Sequence, residues 1–315
     1  MTIDPELRLF LATLRAGWAD YPPFESLSYA DRRRVADAVR ARWNIGGPAM
    51  ARTIERQFDP GAGALRIRLH VPAGVTEPAP TLVYLHGGGF TLFSIDSHDR
   101  LMREYAEQAG VAVLGVDYPL APEHKYPVAL DRIEALLLWL ERHGAELGVD
   151  ARRLALGGDS AGANMSFALV QRLRALGKSA LIRGILANYG GYSDTISDEA
   201  EAAHGGPDAI MNREEAYEYY GNYLNGATAA DDPQVYALKA DLTGFPPVFL
   251  ATAECDILAE QGIAMAAHLT RFGVETHGRV YPGAIHSFLE AMSISAVARA
   301  AIAEGASFIR NRLSA

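Results

Sequence analysis

The sequence predicts an α/β fold in which helices flank a mostly parallel sheet. Two observations carry this prediction: short apolar runs typical of buried strands recur along the chain, and stretches with apolar residues at helical spacing lie between them. Strands that alternate with helices pair in parallel through right-handed crossovers. At 315 residues, 49% hydrophobic and 21% charged, the chain has the composition of an ordinary globular protein and the length for a large core.

The first 45 residues are predicted to be helical. Leu7, Phe10, Leu11 and Leu14 recur at the spacing of one helix face, and a second amphipathic stretch runs over residues 31–42. Within that stretch, the arginines at positions 32–34 form the densest basic cluster of the chain, with an aspartate at 31 and another at 37. We interpret this cluster as a solvated helix face.

The strands that follow differ in their expected burial. Residues 65–71 alternate between apolar and polar side chains, which indicates a half-exposed antiparallel strand near an edge of the sheet. Later runs are apolar almost throughout, as is typical of strands buried on both faces. These runs cover residues 81–85, 111–116, 153–156, 184–186 and 248–251, and a further strand is predicted over 276–280.

Helical patterns occupy the gaps between these strands. One of them begins at Pro127, which suits the first turn of a helix, and ends at Gly144, which suits a helix C-terminus. Between these two residues, Ile133, Leu136 and Leu140 lie on one face. The other helices are predicted over residues 161–177, 258–272 and 291–312.

Two segments, residues 1–45 and 189–235, fall outside the alternation of strands and helices. The second segment is rich in tyrosine, glycine and acidic residues. We interpret both segments as additions to one core rather than as independent domains. Residues 1–315 are therefore predicted to form a single domain.

Composition argues against several classes of protein. With 29 Lys+Arg against 38 Asp+Glu, the net charge of −9 would repel a phosphate backbone, so we expect no nucleic-acid partner. The single cysteine, Cys255, forms no intramolecular disulfide and no cysteine-ligated zinc site. No apolar run approaches the ~20 residues that span a bilayer, and the charged N-terminus is unlike a secretory signal. We therefore expect a cytoplasmic protein without a membrane span.

A G-x-S-x-G pattern centred on Ser160 is the strongest local signal for chemistry. It stands between the predicted strand at 153–156 and the helix that begins at Ala161, which is the strand–turn–helix context of a nucleophile elbow. Gly158 and Gly162 flank the serine because the turn is sharp and neighbouring backbones approach closely. The alternative is an ordinary strand–helix turn in which the serine only caps the helix.

A second signal is the run His86-Gly87-Gly88-Gly89, which directly follows the predicted strand at 81–85. Successive glycines leave backbone N–H groups uncovered by side chains, as is required of donors to a developing oxyanion. A flexible turn is the alternative for this run taken alone. We expect His86 to orient the glycine loop through a hydrogen bond rather than to act as a base.

The serine requires a base and an acid. In an α/β-hydrolase the catalytic residues follow the order Ser, Asp/Glu, His, so the base should be a histidine beyond a late strand. His286 meets this condition, whereas His268 and His277 lie within a predicted helix and strand. Asp256, after the strand at 248–251, is the best-placed acid, and Glu254 is its competitor. The acid would hold the tautomer of the imidazole and stabilise the imidazolium.

These motifs together resemble the bacterial hormone-sensitive-lipase family of α/β-hydrolase carboxylesterases. The resemblance extends from about residue 65 to the C-terminal region, which looks most like that of the bacterial acetyl esterases. It rests on HGGGF at 86–90, DYPLAPEH at 117–124, GDSAGAN at 158–164, AECD at 253–256 and YPGAIHSF at 281–288.

The resemblance implies an α/β-hydrolase fold with a helical cap formed by residues 1–45 and 189–235. It also implies that Ser160, Asp256 and His286 are the catalytic triad. The oxyanion hole would be formed by the N–H groups of Gly88, Gly89 and Ala161, with Gly87 as a further candidate. Three departures from the family pattern, at Pro119, Ala163 and Ile257, bear on the subgroup and on the shape of local loops rather than on the triad.

The predicted function is a serine carboxylesterase that needs neither a metal nor an organic cofactor. Its partner would be a small-molecule ester with a short acyl group, acetyl to butyryl, because six tyrosines within residues 189–223 favour a compact and partly polar pocket. Lactone hydrolysis, amide or peptide hydrolysis and a non-catalytic small-molecule receptor are the alternatives. The oligomeric state is left open, with a homodimer as one alternative.

Overall fold

The computed structural model describes residues 2–206, 209–226 and 231–314, and in this part of the chain eight strands form one sheet. In chain order, the strands are Arg52–Phe58 (β1), Leu65–Val71 (β2), Ala79–Leu85 (β3), Ala112–Asp117 (β4), Val149–Asp159 (β5), Ile182–Asn188 (β6), Val248–Cys255 (β7) and Thr276–Ile285 (β8). Their order across the sheet is β1-β2-β4-β3-β5-β6-β7-β8.

The sheet is parallel from β4 to β8 and antiparallel at one edge, where β2 pairs with both β1 and β4. The predicted antiparallel strand near an edge is thereby confirmed, as is the mostly parallel α/β architecture. The strands β3, β4, β6 and β7 are buried almost throughout, because helices cover both faces of the sheet.

Helices account for most of the remaining chain. They are Pro5–Trp18 (α1), Tyr29–Arg40 (α2), Asp99–Ala109 (α3), Val128–His143 (α4), Ala161–Ala175 (α5), Asp198–His204 (α6), Arg213–Tyr223 (α7), Ala259–Arg271 (α8) and Ala296–Leu313 (α9). The apolar faces of α4, α5 and α8 contribute to one core layer, and those of α1, α3 and α9 to the layer on the other face of the sheet. No helix in the described ranges is long and apolar enough to cross a membrane.

Two elements, β1 and α3, have no counterpart in the sequence analysis. The side chains of β1 are exposed or half-exposed, so its sequence lacks an apolar face. The signal for α3 was present, because its buried residues Leu101, Met102, Tyr105 and Ala109 follow helical spacing. The last helix also begins later than predicted: residues 288–293 form a 3₁₀ helix before α9 starts at Ala296.

The prediction of a solvated arginine face on α2 is wrong for two of its three members. Arg34 is exposed and pairs with Asp31, but Arg32 is only 8% exposed and donates to Glu218 of α7 at 2.6 Å. Arg33 donates to the carbonyl oxygen of Thr91 at 2.8 Å. Arg32 stands at helical spacing from the buried Val35, Ala36 and Val39 and therefore lies on the buried face of α2. Arg33 is partly covered by the loop after β3, to which it donates.

The segments 1–45 and 189–235 contact each other beside the carboxyl ends of the parallel strands. The first contains α1 and α2, and the second contains α6 and α7. Besides the ion pair between α2 and α7, the hydroxyl of Tyr29 donates to Asn222 at 2.8 Å. Residue 1 of the first segment and residues 207–208 and 227–230 of the second lie outside the described part of the chain.

Candidate active site

Ser160 lies in the sharp turn between β5, which ends at Asp159, and α5, which begins at Ala161. Its backbone has φ 51° and ψ −115°, a conformation that side-chain-bearing residues rarely adopt. A Cβ atom at Gly158 would lie 2.2 Å from the carbonyl oxygen of Leu85, and one at Gly162 would lie 1.9 Å from the same oxygen. The turn can therefore approach β3 this closely only with glycine at both positions.

The turn brings Ser160 to His286, and His286 to Asp256. Ser160 Oγ is 3.0 Å from His286 Nε2, and His286 Nδ1 is 2.7 Å from Asp256 Oδ2. An ionised carboxylate only accepts hydrogen bonds, so Nδ1 carries the proton of the neutral ring and Nε2 accepts from the serine hydroxyl. The three residues predicted as nucleophile, base and acid thus form one continuous chain of hydrogen bonds.

Both partners of the serine are enclosed: His286 is 7% exposed and Asp256 is 3% exposed. Burial lowers the pKa of His286, but the nearby Asp256 carboxylate outweighs burial, so the net pKa lies above the usual value for histidine. A second hydrogen bond, from the Leu258 N–H to Asp256 Oδ1 at 3.0 Å, fixes the orientation of the carboxylate.

The competing candidates occupy other places. Glu254 accepts a hydrogen bond from the Gly283 N–H at 2.9 Å. His268 Nε2 lies 2.8 Å from the Ala240 carbonyl oxygen, and His277 Nε2 lies 2.9 Å from Glu275 on the surface. Each of these three side chains thus bonds to a partner other than Ser160 or His286.

Gly88 and Gly89 of the glycine loop line one cavity together with Ser160. Among the described residues, no protein acceptor is recorded for the N–H groups of Gly88 and Gly89, which both line the cavity. Gly89 has φ 59°, and a Cβ atom there would lie 2.4 Å from the ring of Tyr219, so only glycine fits. The N–H of Gly87, by contrast, donates to Asp159 Oδ1 at 3.2 Å, which directs it away from the cavity.

His86 contacts the loop as the sequence analysis expected. Its Nδ1 lies 2.8 Å from the Gly87 carbonyl oxygen and donates to it, while its ring stacks on Tyr118 with centroids 4.2 Å apart. Burial lowers the pKa of His86 to about 3, so the ring is neutral. It has no contact with Ser160.

A buried pair that the sequence analysis did not identify, His98 and Asp159, lies beneath the turn. His98 Nε2 is 3.3 Å from Asp159 Oδ2, and the two residues are each 2% exposed. Asp159 Oδ1 also accepts from the Tyr84 hydroxyl at 2.8 Å. The aspartate was visible as the second residue of the G-D-S-A-G motif, but nothing local to His98 indicated its partner.

Two cavities meet at Ser160. The larger has a volume of about 520 Å³, and the smaller about 30 Å³. Gly89, Ser160, Met211 and Tyr219 line both cavities and so divide them. The larger cavity is also lined by residues of α1, of α2 and of the connection between these helices (Arg15, Trp18, Ala19, Tyr21, Pro22, Pro23, Phe24 and Arg40).

The titratable side chains at this site form pairs rather than a ligand cluster. Within the described ranges, no group of three or more His, Cys, Asp or Glu side chains is arranged to hold a metal ion. The chemistry that the arrangement supports is that of a hydroxyl hydrogen-bonded to an imidazole, beside the backbone N–H groups of Gly88 and Gly89.

Comparison with known proteins gives a consistent picture. A family model described as alpha/beta hydrolase fold matches residues 82–290. The carboxylesterase NlhH of Mycobacterium tuberculosis is 33% identical over 261 residues, which are 81% of each chain. Among solved structures, an ester hydrolase from the metagenome of Lake Arreo superimposes with a TM-score of 0.92 at 29% identity, covering all of both chains. A hyperthermophilic esterase from the archaeon Pyrobaculum calidifontis superimposes with a TM-score of 0.90 at 27% identity, again over all of both chains.

Proposed function

Since the chain belongs to the α/β-hydrolase family, in its hormone-sensitive-lipase-like group, and is a carboxylic ester hydrolase, we propose that it cleaves short-acyl esters through Ser160, His286 and Asp256. The observation that carries the proposal is the unbroken chain of hydrogen bonds from the Ser160 hydroxyl through His286 to Asp256. The three residues follow the carboxyl ends of β5, β7 and β8, where active sites of parallel sheets lie, and this position supports the proposed catalytic role.

Catalysis would proceed in two halves. Ser160 Oγ attacks the ester carbonyl carbon while His286 Nε2 takes the hydroxyl proton, and the carbonyl oxygen becomes an oxyanion. When the carbon–oxygen bond to the alcohol breaks, His286 returns the proton to the leaving oxygen. A water molecule then attacks the acyl-enzyme with the same assistance, which releases the acid and restores the serine hydroxyl.

The oxyanion would be held by the N–H groups of Gly88, Gly89 and Ala161. Gly88 and Gly89 have no protein acceptor recorded among the described residues, and Ala161 is the first residue of α5, where an N–H has no partner within the helix. The positive end of the α5 dipole lies at the same place and favours negative charge. Gly87 is left out because its N–H is engaged by Asp159.

The smaller cavity would receive the acyl group and the larger cavity the alcohol. A volume of about 30 Å³ has room for a few heavy atoms only, since a single water already needs about 10–15 Å³ of such space, and this suits acyl groups from acetyl to butyryl. The rings of Tyr219 and Tyr220 and the side chain of Leu258 contribute to its walls. An acyl chain longer than butyryl would have to displace these side chains, whereas the larger cavity leaves room for varied alcohols.

Residues 1–45 and 189–235 would form the cap over this site. Both segments line the larger cavity, the first through residues such as Trp18 and Phe24 and the second through Met211 and Tyr219. The ion pair between Arg32 and Glu218 joins the two segments to each other. The cap would therefore set which alcohols fit, while the core supplies the reacting groups.

Hydrolysis of nitrophenyl acetate by wild-type protein and by Ser160→Ala tests the proposal. We expect a burst of nitrophenol from wild type and a loss of kcat on the order of 10⁶-fold in the variant, as is typical when a triad nucleophile is removed. Ester turnover near the wild-type rate by folded Ser160→Ala would overturn the assignment. Absence of any nitrophenol release by wild type above the uncatalysed rate would favour the non-catalytic receptor instead.

The division into two cavities predicts how activity depends on acyl length. Across nitrophenyl esters from C2 to C12, kcat/KM should be greatest between C2 and C4. Leu258, which lines only the smaller cavity, and Ile210, which lines only the larger, provide a matched pair of variants. Leu258→Ala should raise the ratio of C6 to C2 activity, because each accommodated CH₂ adds about 0.8 kcal/mol of binding, and Ile210→Ala should leave that ratio unchanged.

A wild-type maximum at C8 or longer would contradict the short-acyl assignment. An equal change of the C6-to-C2 ratio in both variants would contradict the assignment of the smaller cavity to the acyl group. Because the ratio compares two substrates of one protein, a general loss of activity in either variant leaves it unaffected.

A further inference from the structure

Hydrogen bonding around His98 is satisfied in full when both nitrogens of its ring carry a proton. The hydroxyl of Ser97 donates its single proton to the Ser94 carbonyl oxygen at 2.9 Å, and the same oxygen atom of Ser97 accepts from the Ser94 N–H at 3.0 Å. His98 Nδ1 lies 3.0 Å from this hydroxyl oxygen, and as long as Ser97 donates to Ser94 the ring nitrogen is the donor of this contact. On the other side of the ring, Nε2 faces the Asp159 carboxylate, which only accepts. His98 is then an imidazolium.

The groups around His98 favour a positive charge on its ring. Burial lowers the pKa of His98, but the Asp159 carboxylate outweighs burial and raises it above the usual value. Burial raises the pKa of Asp159, and the charge of His98 outweighs that effect and lowers it. The charged and titratable groups that face His98 from the elements around it are Asp159, His86, Asp37 and Arg40 of α2, and Glu290 of the 3₁₀ helix.

Asp159 connects His98 to the glycine loop. Its Oδ1 accepts from the Gly87 N–H, and a Cβ atom at Gly87 would lie 2.3 Å from its Oδ2, so the loop rests directly on the carboxylate. Asp159 is also the residue before Ser160, and the Ser160 N–H donates to the Asn188 carbonyl oxygen at 2.8 Å. The residue whose carboxylate supports the loop with the candidate oxyanion donors therefore directly precedes the nucleophile in the chain.

We propose that His98 is a positioning residue: as an imidazolium it keeps Asp159 ionised, and Asp159 holds the glycine loop in register with Ser160. The proposal rests on the proposed function, because the loop matters only if it holds the oxyanion. Loss of the His98 proton would turn Nδ1 into an acceptor facing the Ser97 hydroxyl oxygen. Ser97 would then have to leave Ser94 to donate to the ring, and Asp159, which supports the glycine loop, would lose the neighbouring positive charge that lowers its pKa.

His98→Gln tests this role, because the glutamine amide can still donate to Asp159 but carries no charge. We expect kcat to fall about 10-fold with KM within about 2-fold, a smaller loss than removal of an oxyanion donor causes, since the donors remain but are less well aligned. The pH profile gives a readout that a structural role alone would not move. Wild-type kcat/KM should decline on the alkaline side as His98 loses its proton, and this decline should be absent from His98→Gln.

His70→Gln is the matched control. His70 is also buried, at 1% exposed, and its Nε2 lies 3.2 Å from an aspartate, Asp99, but it belongs to β2 near the antiparallel edge of the sheet. It should keep the wild-type kcat and the alkaline decline. Ser160→Ala in the same series separates the two proposals: an active Ser160→Ala overturns the proposed function, whereas an inactive one beside a wild-type-like His98→Gln overturns only the role of His98.

A neutron structure of the wild-type protein at neutral pH tests the proton count without any substitution. Deuterium on both Nδ1 and Nε2 of His98 is the expected result. A single deuterium on the ring would overturn the imidazolium and with it the proposal, even if His98→Gln failed to fold.

Discussion

At the scale of single residues, Glu254 and Asp256 show how two carboxylates of one strand end acquire different tasks. Asp256 bonds to the ring of His286 at 2.7 Å, and Glu254 bonds to the backbone of Gly283 at 2.9 Å. Asp256 is thereby in a position to raise the pKa of the base, while Glu254 supports the chain that leads to it. The two residues carry the same functional group but bond to different partners.

This difference predicts the outcome of two isosteric substitutions. In Asp256→Asn the carboxylate that raises the pKa of His286 is gone, so that pKa falls and the acid limb of kcat/KM moves to lower pH. The value of kcat should fall about 10⁴-fold, because the amide no longer selects the productive tautomer. Glu254→Gln should keep both quantities, since its amide oxygen still accepts from Gly283. An unshifted acid limb in Asp256→Asn would contradict the assignment of the acid.

At the scale of elements, α2 shows that three consecutive arginines, which point to different sides of one helix, have separate roles. Arg32 joins α7 through Glu218, Arg33 joins the loop after β3 through Thr91, and Arg34 stays within its own helix with Asp31. The donors of Arg32 also bond to the carbonyl oxygens of Leu27 and Glu25. The first of these arginines therefore connects three parts of the proposed cap.

Neutralising these arginines one at a time should separate their effects on stability. Arg32→Met should lower the free energy of unfolding by about 2 kcal/mol, the usual range for hydrogen bonds to a charged group. Glu218 is 43% exposed, so the Coulomb part of the pair contributes little to this loss. Arg34→Met, on the exposed surface, should stay within about 0.5 kcal/mol of wild type. Urea unfolding measures both, and equal effects would contradict the distinction.

At the scale of the whole molecule, a buried ion pair joins the N-terminal and C-terminal regions beside the active site. Arg40 at the end of α2 donates to Glu290 of the 3₁₀ helix at 2.9 Å, and their side chains are 7% and 8% exposed. Arg40 also lines the larger cavity. The pair therefore holds the first segment of the proposed cap against the part of the chain that carries His286.

The effects of substituting Arg40 and Glu290 on the free energy of unfolding should not be additive, because each single substitution leaves a buried charge without its partner. Arg40→Met alone leaves Glu290 buried without a partner and should lower the free energy of unfolding by about 3–5 kcal/mol. The double variant Arg40→Met/Glu290→Met should be destabilised by less than the sum of the single variants. A double-mutant cycle in urea measures this coupling, and additive single effects would show that the pair is not a unit.

The fold could be predicted wherever burial leaves a periodic pattern. The buried strands β3, β4 and β6 and the helices α4, α5 and α8 were recognised from apolar runs and helical spacing. The strand β1 was missed because it is stabilised by pairing with β2 while its side chains face solvent, which leaves no such pattern. The burial of Arg32 was misjudged because its charge was given more weight than its helical spacing, which places it with Val35 and Val39. The cover over Arg33 comes from a distant loop, which the helical period does not record.

The sequence by itself determined where the reacting groups stand, because their requirements are local: a sharp turn needs glycine on both sides of Ser160, and β7 and β8 must end before Asp256 and His286. Only the tertiary structure decided how these groups are supported and how the space around them is divided. His98 meets Asp159, Arg40 meets Glu290, and Tyr219 covers Gly89 across long stretches of chain. Such contacts depend on how elements pack against one another, and no period or motif within one element records the partner that packing will supply.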